Sequence, residues 1–293
     1  MNTMNSIGLP GIATVSTIAA LLCAGAAGAQ VASADVSKNL EYVQVGPSAV
    51  VPLAADNAFL YARTFFPNAS DFDGGNLTFS GPGSPQTFNI SGNLGSPFVG
   101  YQTGYLTQAN LDAMFPNGIT YTLTATNSST LSSQAVNVTY ATDVYTSDLP
   151  ALTAASYAAL QSANPNAAVT LDFNSFTQNP GASFAQGFLT IYDLTTNTYV
   201  DSFNGFAPTT TSETIAPGVL TAGDQYQYEL IFEDAVTGND GSVATYAVSN
   251  VRTLGLFTVP LGVPEPATWT MMLIGVAALG SVARRRRSLA TAL

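Results

Sequence analysis

Few residues in this sequence could do catalytic chemistry. The chain contains no histidine and a single cysteine, Cys23, which lies in an apolar N-terminal stretch. Ser-His-Asp and Cys-His mechanisms, and zinc sites built on those ligands, are therefore excluded for the rest of the chain. Paired carboxylates remain: Glu233 and Asp234 end a predicted strand, and Asp71 and Asp73 lie on a predicted turn.

Neither carboxylate pair has the surroundings of a known site. Glycoside hydrolysis needs two carboxyl groups facing one cleft, whereas adjacent acids on turns and loops are usually solvated. Asp71 and Asp73 offer oxygen ligands to calcium, but the rest of a known calcium loop is absent. We therefore predict that the protein is not an enzyme, with no catalytic residues, no metal site and no cofactor.

The charge of the chain separates it from nucleic-acid-binding proteins. Residues 30–263 carry three basic side chains, Lys38, Arg63 and Arg252, against 17 acidic ones, which gives a net charge of −14. Such a chain repels nucleic acid and stays soluble through self-repulsion. Because no cysteine remains in this region, no disulfide can stabilise the fold. The abundance of Ser, Thr, Asn, Gly and aromatic residues is typical of an extracellular β protein.

Short apolar segments, separated by clusters of Gly, Pro, Asn and Asp, predict strands along most of the chain. The predicted strands include residues 58–65, 76–80, 87–90, 98–101, 134–140, 188–192, 198–203, 212–215 and 243–254. In the strand that begins at Tyr226, we expect alternate residues to face the core. The core residues would be Tyr226, Tyr228, Leu230 and Phe232, and the water-facing ones Gln227 and Glu229.

One local pattern occurs twice. Gly118 lies three residues before Tyr121, and Gly223 lies three residues before Tyr226, each where a turn leads into a strand. The pattern resembles the tyrosine corner of immunoglobulin-like and fibronectin type III sandwiches, in which the hydroxyl bonds back to the backbone. The resemblance implies an all-β fold of two tandem immunoglobulin-like β-sandwiches. Tyr121 and Tyr226 would be the corners, and Phe173 would replace the core tryptophan.

Residues 148–162 form the clearest helical pattern before the C-terminal segment. Leu152, Tyr157 and Leu160 can share one face, and Asn164-Pro165 ends the segment. The helix either connects two domains or packs on the second sandwich, and periodicity does not separate these alternatives. The predicted division is a signal peptide at 1–29, a first β-sandwich at 30–147, a helical connector at 148–165, a second β-sandwich at 166–259 and a sorting and anchor segment at 260–293.

The C-terminus combines a proline motif, an apolar run and a basic cluster. Pro264 and Pro266 fix two φ angles and remove two backbone donors, so the chain around Glu265 is held extended. Trp269 suits the water-lipid boundary, and the run to Ala283 is shorter than the ~20 residues of a usual membrane helix. The predicted hydrophobic helix contains Met271, Met272, Leu273, Ile274, Val276, Leu279 and Val282, and its basic stop is Arg284, Arg285, Arg286 and Arg287.

These C-terminal residues resemble the PEP-CTERM sorting signal of Gram-negative bacteria. The sorting motif would be Pro264, Glu265, Pro266 and Trp269. The resemblance implies processing by exosortase, a membrane enzyme similar to cysteine proteases, and a link to exopolysaccharide and biofilm matrix. An ordinary membrane anchor that contains Pro-Glu-Pro by chance is the alternative.

The N-terminus has the pattern of an export signal. Residues 12–27 are apolar and rich in small side chains, and Ala27-Gly28-Ala29 supplies the positions read by signal peptidase. Cleavage after Ala29 would leave Gln30 first. We expect the Sec machinery and signal peptidase as partners. The precursor would be held transiently at the inner membrane with a cytoplasmic C-terminus, and the mature form would lie at the cell surface or outside the cell.

The sequence therefore predicts an exported surface or extracellular-matrix protein that exosortase sorts and processes, associated with exopolysaccharide or biofilm. One alternative is a carbohydrate-binding or adhesive module that uses exposed aromatic residues such as Tyr101 and Tyr105. The other alternative is a secreted glycosidase, which requires two carboxylates that converge in one cleft.

Overall fold

The computed structural model describes residues 30–261, except residues 70, 82–83 and 93–96. The predicted signal peptide and the predicted sorting and membrane segment lie outside the described residues, apart from residues 260 and 261. The described part is mostly β-sheet, as the sequence predicts. Its elements are β1 Ser33–Gly46, β2 Ala49–Pro52, β3 Ala58–Phe65, β4 Gly74–Gly81, β5 Ser84–Ser91, β6 Phe98–Gln102, α1 Gln108–Met114, β7 Ile119–Asn127, β8 Ser132–Tyr140, α2 Ala154–Gln161, β9 Val169–Asp172, β10 Phe184–Asp193, β11 Thr198–Phe206, β12 Ser212–Ile215, β13 Gln225–Asp240 and β14 Val243–Thr258.

One 12-stranded sheet runs through both halves of the chain. Its strand order is β11-β10-β13-β14-β1-β3-β6-β5-β4-β7-β8, with β2 added beside β1. The first strand, β1, pairs in parallel with the last strand, β14, and antiparallel with β3. The hydrogen bonding therefore continues across the predicted border between the halves. Two tandem sandwiches are not shown, and the domain boundaries stay a prediction.

Two hydrophobic cores lie on one face of this sheet. The first is built around Leu60, Phe79 and Leu123, and the second around Leu189, Leu230 and Phe232. Strand β14 contributes to both, since Val243 and Ala247 belong to the first core and Phe257 to the second. The two long strands β13 and β14 thus connect the cores.

The predicted helix is shorter than its pattern and packs on the second core. Helix α2 begins after Thr153, whose side chain accepts a hydrogen bond from the Ser156 N–H as an N-cap. Leu160 is buried in the second core and Tyr157 packs against it. This arrangement corresponds to the second of the two alternatives for the helix. The short helix α1 is absent from the sequence-based prediction.

The expected outward orientation of Gln227 and Glu229 is wrong. Both side chains are buried, as are their neighbours Tyr226 and Tyr228 on the other face of β13. The period-2 pattern correctly separates the two faces, but it does not show that the polar face is also covered. On the polar face of β13, β14, β1 and β3, charged side chains such as Glu229, Arg252, Asp35 and Arg63 are buried.

Candidate functional site

All three cations of the described residues are buried. The exposed fraction is 0% for Lys38, 7% for Arg63 and 2% for Arg252. A buried cation is tolerated only when it is paired and hydrogen-bonded, because removing it from water costs several kcal/mol. Each of these three side chains has carboxylate partners.

Arg252 lies at the centre of one of these clusters. Its Nε donates to Glu229 Oε1 at 2.7 Å, its Nη2 contacts the same oxygen, and its Nη1 lies 3.9 Å from Glu41 Oε2. The guanidinium carbon lies 5.1 Å from the ring centre of Phe59, a cation–π arrangement. The Tyr105 hydroxyl donates to Glu41 Oε1 at 2.8 Å. The two glutamates therefore neutralise Arg252 and hold it in place.

Arg63 and Asp35 form a two-point ion pair on the same face of the sheet. Nε donates to Oδ1 at 3.1 Å and Nη2 donates to Oδ2 at 2.5 Å. Burial is the largest single effect and lowers the pKa of Arg63, but the charge and hydrogen bond of Asp35, together with Tyr61 and Glu233, raise the pKa above its ordinary value. The pair sits directly across the β1–β3 ladder, where Asp35 faces Arg63.

Lys38 points to the first core and fastens three separate segments to β1. Its Nζ donates to Asp112 Oδ1 and Asn117 Oδ1, each at 2.8 Å, and lies 3.2 Å from Asp143 Oδ1. It also lies 5.2 Å from the ring centre of Tyr140. The three clusters leave no exposed cation among the described residues, so the charge presented to solvent there is acidic. An acidic surface does not favour nucleic acid as a ligand.

The Glu233-Asp234 pair does not form a catalytic dyad. Consecutive residues of a strand point to opposite faces, so these two carboxyl groups cannot meet in one cleft. Glu233 accepts a hydrogen bond from Gln186 Nε2 at 2.7 Å. Asp234 Oδ1 accepts from the Asn179 N–H at 3.2 Å, and Oδ2 is buried without a hydrogen-bond partner. Burial raises the pKa of Asp234 to about 6, and the Asn179 N–H offsets this only in part.

Asp234 should make the fold less stable as the pH rises. The pKa of Asp234 in the folded protein, about 6, lies above its ordinary value of 3.8, so stability falls between those values and stays lower above them. Asp234→Asn is expected to raise the free energy of unfolding by about 2 kcal/mol at neutral pH and by nothing at pH below about 3.5. Denaturant unfolding across this pH range measures the difference.

The control for this substitution is Asp56→Asn, at an exposed loop position. It should leave the unfolding free energy unchanged at every pH. A gain from Asp234→Asn that did not depend on pH would show that ionisation of Asp234 is not its cause.

In the second carboxylate pair, Asp71 and Asp73, only the carboxylate of Asp73 connects its loop to the turn that contains Ser128. Asp73 accepts hydrogen bonds from the Ser128 N–H at 3.0 Å and from the Ser128 hydroxyl, and these bonds lower the pKa of Asp73. Asp71 accepts from Asn68 within the same loop. Within residues 30–261, less the three gaps, no group of three or more acidic, histidine or cysteine side chains could hold a metal ion.

Tyr101 and Tyr105, named above as aromatic residues that an adhesive module could use, pack on different faces of the sheet. Tyr101 packs against the first core, with its ring centre 4.9 Å from that of Phe88. Tyr105 is half-exposed and contacts Phe59 and Glu41 on the other face. Because the rings serve different faces of the sheet, they do not form one flat platform for a sugar.

Both predicted corner tyrosines are fully buried and bond to the backbone five residues upstream. The Tyr121 hydroxyl donates to the Pro116 carbonyl at 2.9 Å. The Tyr226 hydroxyl instead accepts from the Thr221 N–H at 2.7 Å. Gly118 and Gly223 both have positive φ angles, which an L side chain rarely adopts, so the turns before the two tyrosines depend on glycine.

A shallow cavity of about 170 Å³ lies between the end of α2 and the ends of β13 and β14, lined in part by Gln161, Leu256 and Phe257. This volume is below the roughly 300–1,000 Å³ of ordinary small-molecule sites. In the part of the chain that the structure covers, no helix combines the length and the apolar character needed to cross a bilayer.

The C-terminal segment matches a known protein-sorting motif. Residues 262–287 match the PEP-CTERM protein-sorting motif. The chain carries a PEP-CTERM sorting signal. The match contains the predicted motif residues Pro264, Glu265, Pro266 and Trp269, the apolar run and all four arginines, all of which lie outside the described residues. The PEP-CTERM motif implies export and processing by exosortase.

Comparisons of the folded part are weaker than the PEP-CTERM match. The FN1–FN3 domains of chicken CNTN1 are 10% identical, with 70% of this chain and 65% of that chain covered and a TM-score of 0.23. The BSP domain of a biofilm-associated protein is 13% identical, with 69% and 28% covered and a TM-score of 0.20. The chain thus spans less than two thirds of either structure. No curated protein matches the chain.

Proposed function

We propose that this chain is a non-enzymatic surface or extracellular-matrix protein that associates with exopolysaccharide after exosortase has processed its tail. The precursor is held at the inner membrane by residues 271–283 with Arg284–Arg287 in the cytoplasm. The mature protein is then released to the cell surface or beyond. The observation that carries the proposal is the match of residues 262–287 to the PEP-CTERM motif.

The folded part is consistent with a structural role. The carboxylates Glu41, Glu229 and Asp35 are bound to buried arginines, and Glu233 and Asp234 point to opposite faces of β13. The first three acids therefore neutralise buried arginines, and the last two do not face a common cleft. The acidic surface suits a neutral polymer better than an anionic one, because like charges repel at the contact.

Mass spectrometry of the protein recovered from outside the cell tests this proposal. The expected product begins at Gln30 and lacks Arg284–Arg287, because both processing steps precede release. The precursor recovered from inner membranes of the same cells is the matched control and should retain the arginines. An exported product that still carried its basic terminus would contradict the proposal.

A further inference from the structure

Exposed aliphatic side chains gather at one end of the large sheet. We call them the tail-end patch, because β14 ends there and the chain continues toward residue 262. Singly exposed apolar residues are ordinary, whereas a cluster marks a surface that contacts something apolar. The patch consists of Val45, Val51, Leu53, Leu256 and Leu261, with exposed fractions of 58%, 42%, 36%, 60% and 75%.

The strand pairing brings four of these residues, all except Leu261, to the same end of the sheet. Val43 of β1 lies opposite Val51 of β2 on one side and opposite Leu254 of β14 on the other. Leu256 is two residues beyond Leu254 and therefore points to the same face. Val45 follows Val43 on β1, and the Leu53 N–H donates to the carbonyl of Glu41 on the same strand.

The patch is within short reach of the sorting segment. Leu261 is the last described residue, and its side chain lies against Gly223 beside the end of β14. From Leu261 to Trp269 the chain has eight more residues, which span at most about 28 Å when fully extended. When the apolar run is in a bilayer, the patch is therefore confined close to the lipid surface. Confinement raises the effective concentration of the membrane at the patch.

The chemistry of the patch favours lipid over the other surfaces nearby. Its five members are valine and leucine, which offer no hydrogen bonds to a sugar. Since Lys38, Arg63 and Arg252 are all buried, no exposed cation of the described residues is available for anionic headgroups. Contact with the bilayer would therefore rest on apolar burial in the interfacial region and would be insensitive to salt.

We propose that the tail-end patch rests on the phospholipid surface while the precursor is held in the membrane. The inference depends on the membrane-held precursor proposed above. It gives that precursor a fixed orientation, with the end of β14 toward the lipid and the start of β1 away from it. Removal of the tail ends the confinement, and the patch then leaves the surface because its contacts alone are weak.

A fluorescence-quenching experiment on the full precursor tests this contact. The precursor is placed at one copy per nanodisc of phosphatidylcholine, with Cys23→Ser so that one label site exists. A fluorophore is attached at Leu256→Cys in one variant and at Leu131→Cys in the control. Leu131 is 88% exposed and lies in the β7–β8 turn, near the start of β1 and far from the patch.

The label at Leu256→Cys should be quenched by a nitroxide attached to lipid and shielded from iodide in water. The label at Leu131→Cys should show the reverse. Equal access of iodide to both labels would overturn the inference. A Leu256→Cys label that is shielded from iodide yet not quenched by lipid would also overturn it, because residues 262–293 would then cover the patch.

A charge variant separates contact from mere proximity. Val51→Asp, combined with the Leu256→Cys label, should lower the ratio of docked to undocked protein about tenfold, whereas Leu131→Asp should not change it. An unchanged ratio with Val51→Asp would overturn the inference. If the precursor fails to insert, the proposed function fails as well. If it inserts and the label stays open to iodide, only the lipid contact fails.

Discussion

A precursor in which Pro264, Glu265 and Pro266 are all replaced by alanine is expected to remain in the inner membrane, with nearly complete loss of released protein. Prolines restrict φ and lack a backbone donor, so we expect the processing enzyme to read a restricted segment in which Glu265 is the only charge. Alanine restores rotational freedom and removes the charge, so the processing enzyme loses both the shape and the carboxylate. Immunoblots of membrane and culture fractions measure the result.

The matched control for the motif variant is Pro260→Ala, four residues upstream of Pro264 and outside the matched segment. It changes a proline in the same stretch and should leave release normal. Glu265→Gln alone, which keeps the shape and removes the charge, shows how much the carboxylate contributes. Normal release of the triple variant would contradict the role assigned to Pro264, Glu265 and Pro266.

Arg252→Met is expected to cause a large loss of stability. It leaves Glu229 buried without a counter-ion, and it removes a charge partner from Glu41. Breaking a buried ion pair by removing one partner costs about 3–5 kcal/mol. Since domains have a total stability of about 5–15 kcal/mol, this cost removes a large share of the free energy of unfolding. Urea unfolding followed by circular dichroism measures the cost.

A double variant provides the control for the Arg252 prediction. Arg252→Met with Glu229→Met replaces the pair by apolar side chains, a change that is often neutral for buried ion pairs. The double variant is therefore expected to be more stable than Arg252→Met alone. Strict additivity of the two single changes, or a cost of less than about 1 kcal/mol for Arg252→Met, would contradict the role of this cluster.

Local patterns in the sequence predict much of this fold. Strand β3 matches its predicted range, and β4, β5, β6 and β8 extend one to three residues beyond one or both ends of theirs. In each of these segments apolar and polar residues alternate, and turn residues lie at both ends. The signal that predicts a strand is therefore contained in residues close together in the sequence. The PEP-CTERM motif was predictable for the same reason, because its three parts follow one another along the chain.

Long-range pairing was not predictable in this way. Strand β1 was missed, because Asp35, Lys38, Asn39 and Glu41 give it the polarity of a surface segment. All four are buried, and their partners Arg63, Asp112 and Arg252 are distant in the chain. A charge that is neutralised by a distant partner has no local signature, which also explains the wrong orientation expected for Glu229. For the same reason, the sequence predicts two tandem domains and not the continuous sheet, because the pairing of distant strands has no local signal.

The pairing of β1 with β14 sets the order in which this protein can be completed during export. Ser33, at the start of the first strand, lies opposite Ala244 of the last, and Val43 lies opposite Leu254. If the chain is exported with its N-terminus first, as proposed, β1 must wait for nearly the whole chain before its neighbour β14 arrives, and such distant contacts form slowly. The pairing of β1 with β14 would then be completed only when the sorting segment is about to reach the membrane. Folding and recognition of the tail would therefore follow one another in time.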